Sequence, residues 1–429
     1  MQKLFLSIRQ LFNHKYFSIL AGAILAVLLI VVSINLSREI SKSDDYNVFY
    51  QAGINFSNKV SLYTGIGGAK RYIYPPFAAF CFQLFHIFSM NVAGGVWIFF
   101  NWIFWILTIR LTNRILVHFS IDQKTINWAI SLGTICSLRY IWYHAMAAQM
   151  NLFVLYLSLL GVYYFLNQRQ WATVTCLSIA IGIKILPIVV LGWLVTKSDY
   201  KFILKAIVAM GICFILPILF RGTDMGLADL KEYYVTFIEP FKQGRVEPDY
   251  QNYSLSAAIY KLTMPSIGEI NPRGLQYNLF NIPMAAAQNI YKVLALLMLS
   301  LFGAICLYAR FIAKKFFLYE ISFVLIFTNL ISGITWEYHF VSLQFILPIF
   351  FLTISSPKPL YKKLSYYAIA AFVLLNAIIG LDTVGVNLFY LSCGYSLLTA
   401  MLLLLLIDSS LNIFKKDVPS VTYHYHQNS

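Results

Sequence analysis

Residues 17–36 read FSILAGAILAVLLIVVSINL, an uncharged apolar run that decides the class of this protein. As a helix it rises about 30 Å, the thickness of a bilayer's hydrocarbon core. Lys3, Arg9 and Lys15 precede it, and cations beside a first span keep that flank in the cytoplasm. The run is too long for the apolar region of a cleaved leader, so a signal anchor with a cytoplasmic N-terminus is expected.

Eleven further apolar stretches follow, at 92–114, 126–143, 150–166, 170–185, 187–196, 202–220, 288–308, 316–334, 338–354, 364–380 and 386–407. Several fall short of the roughly 20 residues an upright span needs, so those helices are expected to tilt, kink or line a cavity. The stretch 187–196 counts as a span because Pro187 breaks the helix before it and Lys197, Lys201 and Lys205 demand a return to the cytoplasm. Composition agrees: of 429 residues 59% are AVILMFWYC and 11% are charged, against roughly a quarter charged in a soluble domain. A soluble globule and a disordered chain are thereby excluded. The six cysteines are scattered through apolar runs at no metal-like spacing, which reads as free thiols rather than a disulfide scaffold.

Charge fixes the orientation. The net charge of +15 comes from cations that punctuate apolar segments, whereas a nucleic-acid protein needs a basic face on a soluble domain. No nucleic-acid partner is expected. Pro75–Met90 is a further apolar stretch; as a span it would put Arg110, Arg114 and Lys124 outside. Read instead as a membrane-surface helix, it gives twelve spans with both termini inside, and the cytoplasmic segments with their span edges hold 18 of the 32 Lys and Arg. Two outer segments are long, 37–91 and 221–287, and neither is long enough for an independent enzyme domain. One integral membrane unit over 1–429, with a cytoplasmic tail at 408–429, is the expected organisation.

Chemistry should therefore sit where the outer loops meet the membrane. The first begins Ser43-Asp44-Asp45-Tyr46-Asn47-Val48-Phe49-Tyr50-Gln51-Ala52-Gly53 and closes Lys70-Arg71-Tyr72-Ile73-Tyr74-Pro75-Pro76-Phe77. If 45–56 is helical, Asp45 stands at its N-terminus, where a carboxylate caps backbone N–H groups; a catalytic carboxylate is the other reading. Lys184 is a charge within a span, which costs about 2.5–3.5 kcal/mol on insertion scales and marks a cavity-facing or snorkelling side chain. His339 lies in a short connection beside Trp336 and Glu337, and is either satisfied by Glu337 and backbone or turned towards a ligand. Trp97, Trp102 and Trp105 read as packing or interface aromatics, and His424-Tyr425-His426 has too few ligands for a metal site.

In combination these segments resemble glycosyltransferase family 87, within the GT-C superfamily of polyprenyl-phosphate-sugar-dependent glycosyltransferases. The family's first loop looks like Asp-(Phe/Tyr)-x-x-(Phe/Tyr)-(Tyr/Trp)-x-Ala-x, then a Tyr, then Tyr-x-Tyr-Pro-Pro. Asp45, Tyr46, Phe49, Tyr50, Ala52, Tyr63, Tyr72, Tyr74, Pro75 and Pro76 fall on it. Gln149-Met150-Asn151 resembles its Gly-Gln-x-Asn, with Ala148 for Gly, and Lys184-Ile185-Leu186-Pro187 its Lys-x-x-Pro. Asn252-Tyr253-Ser254-Leu255 resembles Asn-Gln-Ser-Leu, with Tyr253 for Gln. Thr335-Trp336-Glu337-Tyr338-His339 resembles Ser-Trp-x-His-His, with Thr335 and Tyr338 as departures.

The resemblance implies an all-α GT-C-type bundle that moves a mannose-like hexose or arabinose-like pentose from a polyprenyl-phosphate donor to a glycolipid or glycan acceptor. Asp45 would be the general base, with Asp44 in reserve, and one in-line displacement would invert the anomeric centre. Lys184, His339, Arg139 and Arg71, with His144 behind them, are the candidates to hold the donor phosphate. Tyr50, Tyr72, Tyr74, Gln149, Asn151, Asn252, Trp336 and Glu337 are the candidates to line the substrate site. Nothing in the sequence supplies a metal cage, so no metal or cofactor is expected. The location implied is a bacterial inner membrane with the site facing the periplasm. The rival reading is a transporter or a flippase of lipid-linked glycans; a transporter should carry acids within its spans, which here hold almost none.

Overall fold

The computed structural model describes residues 15–39, 44–63, 72–242, 249–265, 278–355, 360–380, 385–415 and 419–422, almost wholly helical. The first apolar run forms α1 (Lys15–Glu39). The first long loop carries α2 (Asp44–Ser57) and α3 (Pro76–Phe82), the latter extended by a 3₁₀ turn over Gln83–Ile87. Then come α4 (Met90–His118), α5 (Gln123–Met146), α6 (Asn151–Leu166), α7 (Gln170–Ile183), α8 (Ile188–Val195) and α9 (Tyr200–Arg221). The second long loop carries α10 (Thr223–Tyr233) and α11 (Leu255–Thr263). The remainder is α12 (Met284–Leu307), α13 (Leu318–Ile331), a 3₁₀ turn over Glu337–Ser342, α14 (Leu343–Ser355), α15 (Leu360–Ile378), α16 (Val386–Gly394) and α17 (Leu397–Ile413).

Helices lie on all twelve apolar runs. Among the described residues four are by themselves long and apolar enough to cross a bilayer, namely Met90–His118, Tyr200–Arg221, Met284–Ala313 and Glu337–Ser355. The pair α16 and α17 meets the same measure together, bent by 49°. Shorter apolar helices complete the bundle, and of these α13 is buried along nearly its whole length. Ile207, Leu219, Leu296 and Leu297 point outward from the long helices, as expected where the surroundings are acyl chains rather than water. The protein is an all-α membrane protein. Leu84 and Ile87, at 71% and 80% exposed, give the α3 segment the apolar outer face of an interfacial helix.

Local chemistry sets the helix ends. Asp122 accepts from Thr125 N at 2.9 Å to start α5, and Asp199 accepts from Phe202 N at 2.9 Å to start α9. Gly222, at φ 87°, reverses the chain between α9 and α10. Helices α5 and α14 pack closely at Gly133, where a Cβ would fall 2.4 Å from Pro348 Cδ.

The two ends of the bundle differ. At the end without the long loops, strands Lys315–Phe317 and Ser420–Thr422 pair antiparallel. There Lys197 Nζ lies 2.6 Å from Glu320 Oε2, with both side chains inaccessible. Glu320 also accepts from Trp193 Nε1 at 3.0 Å and from Phe317 N at 3.0 Å. The long loops sit at the other end, joined by Arg221. Its guanidinium donates to the carbonyls of Asn55 (3.0 Å), Phe56 (3.1 Å) and Val60 (2.7 Å) at the close of α2, and pairs with Asp229 of α10 at 2.6 Å. Ser61 Oγ donates to Glu232 at 2.8 Å beside it.

Candidate active site

At the loop-bearing end three breaks in helical structure meet: the entry to α2, the turn between α5 and α6, and the gap between α7 and α8. Asp45 lies one residue inside α2, and its Oδ2 accepts from Gln149 Nε2 at 2.8 Å. Tyr338 lies within Coulombic range of the same carboxylate. Gln149 is aimed at Asp45 by the turn that ends α5. Ala148 takes a left-handed conformation there, at φ 45°, and Trp97 Nε1 donates to the carbonyls of Ala148 and Gln149 at 3.0 and 3.2 Å. Asn101 Nδ2 donates to the same Gln149 carbonyl at 3.2 Å. The position where the resemblance predicts glycine is thus a positive-φ turn that carries a Cβ.

Lys184 is the first residue past α7, in an extended conformation that ends the helix ahead of Pro187. Its Nζ donates to Asn151 Oδ1 at 2.7 Å, contacts His339 Nε2 at 2.5 Å, and lies 5.9 Å from the Tyr74 ring centroid. Asp45 is within Coulombic range of the same ammonium. On the far side of the ring, His339 Nδ1 accepts from Trp336 N at 3.0 Å. Asn151 Nδ2 donates to the Tyr338 carbonyl at 3.1 Å. Gln149 and Asn151, two residues apart, therefore hold Asp45 and Lys184 from one turn.

A slot leads away from Lys184, His339 and Asn151 into the bundle. Its walls include Leu155 of α6, Val190 of α8 and Leu325 of α13. Ser158 also lines it, and lies about 10 Å along α6 from Asn151. Its mouth is cationic and its interior largely apolar.

The other sequence-derived candidates fall outside this group or support it. Tyr74 packs on Phe49 at 5.0 Å and its carbonyl accepts from Tyr63 at 2.7 Å. Tyr72 is buried, its hydroxyl on the Pro75 carbonyl at 2.9 Å, and Tyr50 reaches the Phe88 carbonyl at 2.8 Å. Both brace the first loop. Arg139 and Glu337 are turned to each other, 2.7 Å apart, with Arg139 also on the Asn376 carbonyl at 3.2 Å and the Tyr253 hydroxyl 3.4 Å from Glu337. Asn252 ties the second loop to the connection ahead of His339, donating to the Gly333 carbonyl at 3.0 Å and accepting from Thr335 N at 3.0 Å. Trp336 meets the Tyr338 ring edge-on at 5.4 Å. His144 is buried, and its Nε2 accepts from Leu152 N at 3.1 Å to close the first turn of α6. Asp44 opens α2, and Arg71 lies outside the described residues. Tyr338, which the sequence marks only as a departure from a pattern, lies in Coulombic range of Asp45; Arg221 carried no mark beyond its place at a span edge.

The model of the family described as Glycosyltransferase family 87 matches residues 72–333. The match takes in Gln149, Asn151, Lys184 and Asn252, while Asp45 and His339 join it through the contacts above. No curated protein and no solved structure matches the chain.

Proposed function

We propose that this chain, which belongs to glycosyltransferase family 87 and is a glycosyltransferase, takes its sugar from a polyprenyl-phosphate donor and passes it to a hydroxyl of a glycolipid or glycan acceptor. The convergence of Asp45 and Lys184 on one turn carries this reading, because it sets a base and a cation on either side of a single reacting centre. The acceptor oxygen attacks the sugar C1 as its proton passes to Asp45, and the C1–O bond breaks with its electron pair leaving on the phosphate. Lys184, with the α6 N-terminus beside it, stabilises that charge. The apolar slot behind Lys184 and His339 suits the first isoprene units of the donor. Inversion follows from the single displacement, and the sugar is a mannose-like hexose or arabinose-like pentose. In this reading the chain crosses a bacterial inner membrane twelve times with both termini in the cytoplasm, so the site faces the periplasm.

The test is a panel of radiolabelled polyprenyl-phosphate and nucleotide sugars offered to the purified protein. Consumption of the lipid-linked donors is expected, and Asp45→Asn should lower turnover about 10²–10⁴-fold with donor binding intact. Consumption of nucleotide sugars alone would overturn the donor assignment. Turnover retained by Asp45→Asn would overturn the base.

A further inference from the structure

His339 reaches Lys184 from the 3₁₀ turn Glu337–Ser342, a kind of helix with poor hydrogen-bond geometry, so contacts from outside must fix its register. In such a turn side chains three apart stand over one another and those two apart fall on different faces. Glu337 and Phe340 form one face. Arg139 Nη2 donates to Glu337 Oε1 at 2.7 Å, and the Tyr253 hydroxyl lies 3.4 Å from the same oxygen. Phe340 is stacked on Tyr140 at 5.4 Å and 28°, and meets Tyr253 edge-on at 5.7 Å and 86°. His339 and Ser342 form another face, which lines the slot. There His339 Nε2 lies 2.5 Å from Lys184 Nζ, and Ser342 Oγ accepts from Asn329 Nδ2 at 2.7 Å.

The first face has a footing of its own. Arg139 and Tyr140, neighbours on α5, both donate to the Asn376 carbonyl of α15, at 3.2 and 3.3 Å. The ion pair is largely out of water, with 13% and 8% of the two side chains exposed. A buried pair of this kind adds little net stability over apolar groups of the same volume, but its charged hydrogen bond is short and directional. It supplies a fixed distance between α5 and the turn. Neither member is among the residues that line the slot. We propose that Arg139 and Glu337 are positioning residues of the donor site: their ion pair, on one face of the turn, sets the register that holds the His339 imidazole on Lys184, on the other. This rests on the reading of Lys184 and His339 as the groups that meet the donor phosphate. Two charges that each look available for a ligand are thereby spent on aiming a third group.

The experiment measures kcat/KM for the radiolabelled polyprenyl-phosphate sugar that wild type consumes, and the melting temperature, in a cycle of variants of the full chain in detergent. Glu337→Gln should lower kcat/KM about 10- to 100-fold, as misplacement of a site group does, and should melt earlier because Arg139 loses its counter-charge. Arg139→Met combined with Glu337→Gln leaves no unpaired buried charge, so the melting temperature should return towards wild type while kcat/KM stays low. His339→Ala should lower kcat/KM by a factor similar to that of Glu337→Gln. In the His339→Ala background, Glu337→Gln should then cost less than about twofold, since the group it aims is already gone. Recovery of wild-type kcat/KM together with the melting temperature in the Arg139→Met, Glu337→Gln protein would make the pair merely structural and overturn the inference. The same loss from Glu337→Gln with and without His339 would show that Glu337 acts on its own, as a ligand contact would, and overturn it also. If the doubly neutral protein still melts early, the His339→Ala cycle, run below every melting temperature, decides by the same criterion. Wild-type kcat/KM in both His339→Ala and Lys184→Met would instead remove the donor site on which the inference depends.

Discussion

Lys184, half-buried, and Lys197, buried, are lysines at helix breaks at opposite ends of the bundle, and their partners separate them. Lys197 is paired with Glu320 at 2.6 Å, out of reach of any ligand. Lys184 is hydrogen-bonded to an amide oxygen and an imidazole, both neutral, at the mouth of a slot. A charge already neutralised by a carboxylate contributes to a joint between helices, whereas one cradled by neutral dipoles keeps its field for an incoming anion.

Breaking the paired lysine gives the largest effect. Glu320→Gln removes the carboxylate that faces a buried ammonium, and unfolding in detergent should be easier by about 3–5 kcal/mol, with turnover per folded molecule unchanged. Lys184→Met should do the reverse. Donor binding, followed by titration with a polyprenyl phosphate, should weaken about 10- to 100-fold, since a charged hydrogen bond is worth about 1.5–3 kcal/mol, while the melting temperature holds or rises. Equal losses of stability in the two variants would erase the distinction.

Lys261 sharpens it as an intermediate case. Its Nζ donates to the carbonyls of Tyr250 (2.9 Å) and Cys393 (2.8 Å) and lies 5.1 Å from the centre of the Tyr253 ring. Burial pushes its pKa down from the ordinary 10.5 to about 7, against the opposing pull of Cys393 and Asp249. Between those values the unfolded chain binds the proton that the folded protein does not, so stability should rise as pH climbs through the window and be lost as it falls towards 7. Melting curves from pH 7 to 9.5 should show that rise in wild type and a flatter line in Lys261→Met. The smallest effect concerns Ala148, whose Cβ at φ 45° is strained by about 1–2 kcal/mol. Ala148→Gly should relieve part of that strain, about 1 kcal/mol or less after the entropy of glycine is set against it, raising the melting temperature slightly with turnover intact.

Residues whose significance is local were legible in the sequence. The apolar runs announce their helices, and Lys184 is conspicuous because a span carries a charge ahead of a proline. Asp45 was marked by its place after the first span and by the aromatic pattern behind it. The pairing of Arg139 with Glu337 was not legible, because those residues are 198 positions apart and meet only through the register of α5 against the turn before α14. Both had been candidates for ligand contacts, since either residue alone reads as an available charge. The nearness of Tyr338 to Asp45 was hidden for the same reason: it is set by how the turn after α13 lies against the first loop. Asn252 was found as a motif, yet its side chain is spent on the backbone of residues 333–335.

The grip of Arg221 has a mechanical corollary. A helix end leaves its last carbonyls without internal partners, and those near the close of α2 are satisfied by a guanidinium from 161 to 166 residues away. Peeling that end from α9 would take the guanidinium from three carbonyls and one carboxylate together. The two long loops are accordingly held to α9 and to each other at a single joint.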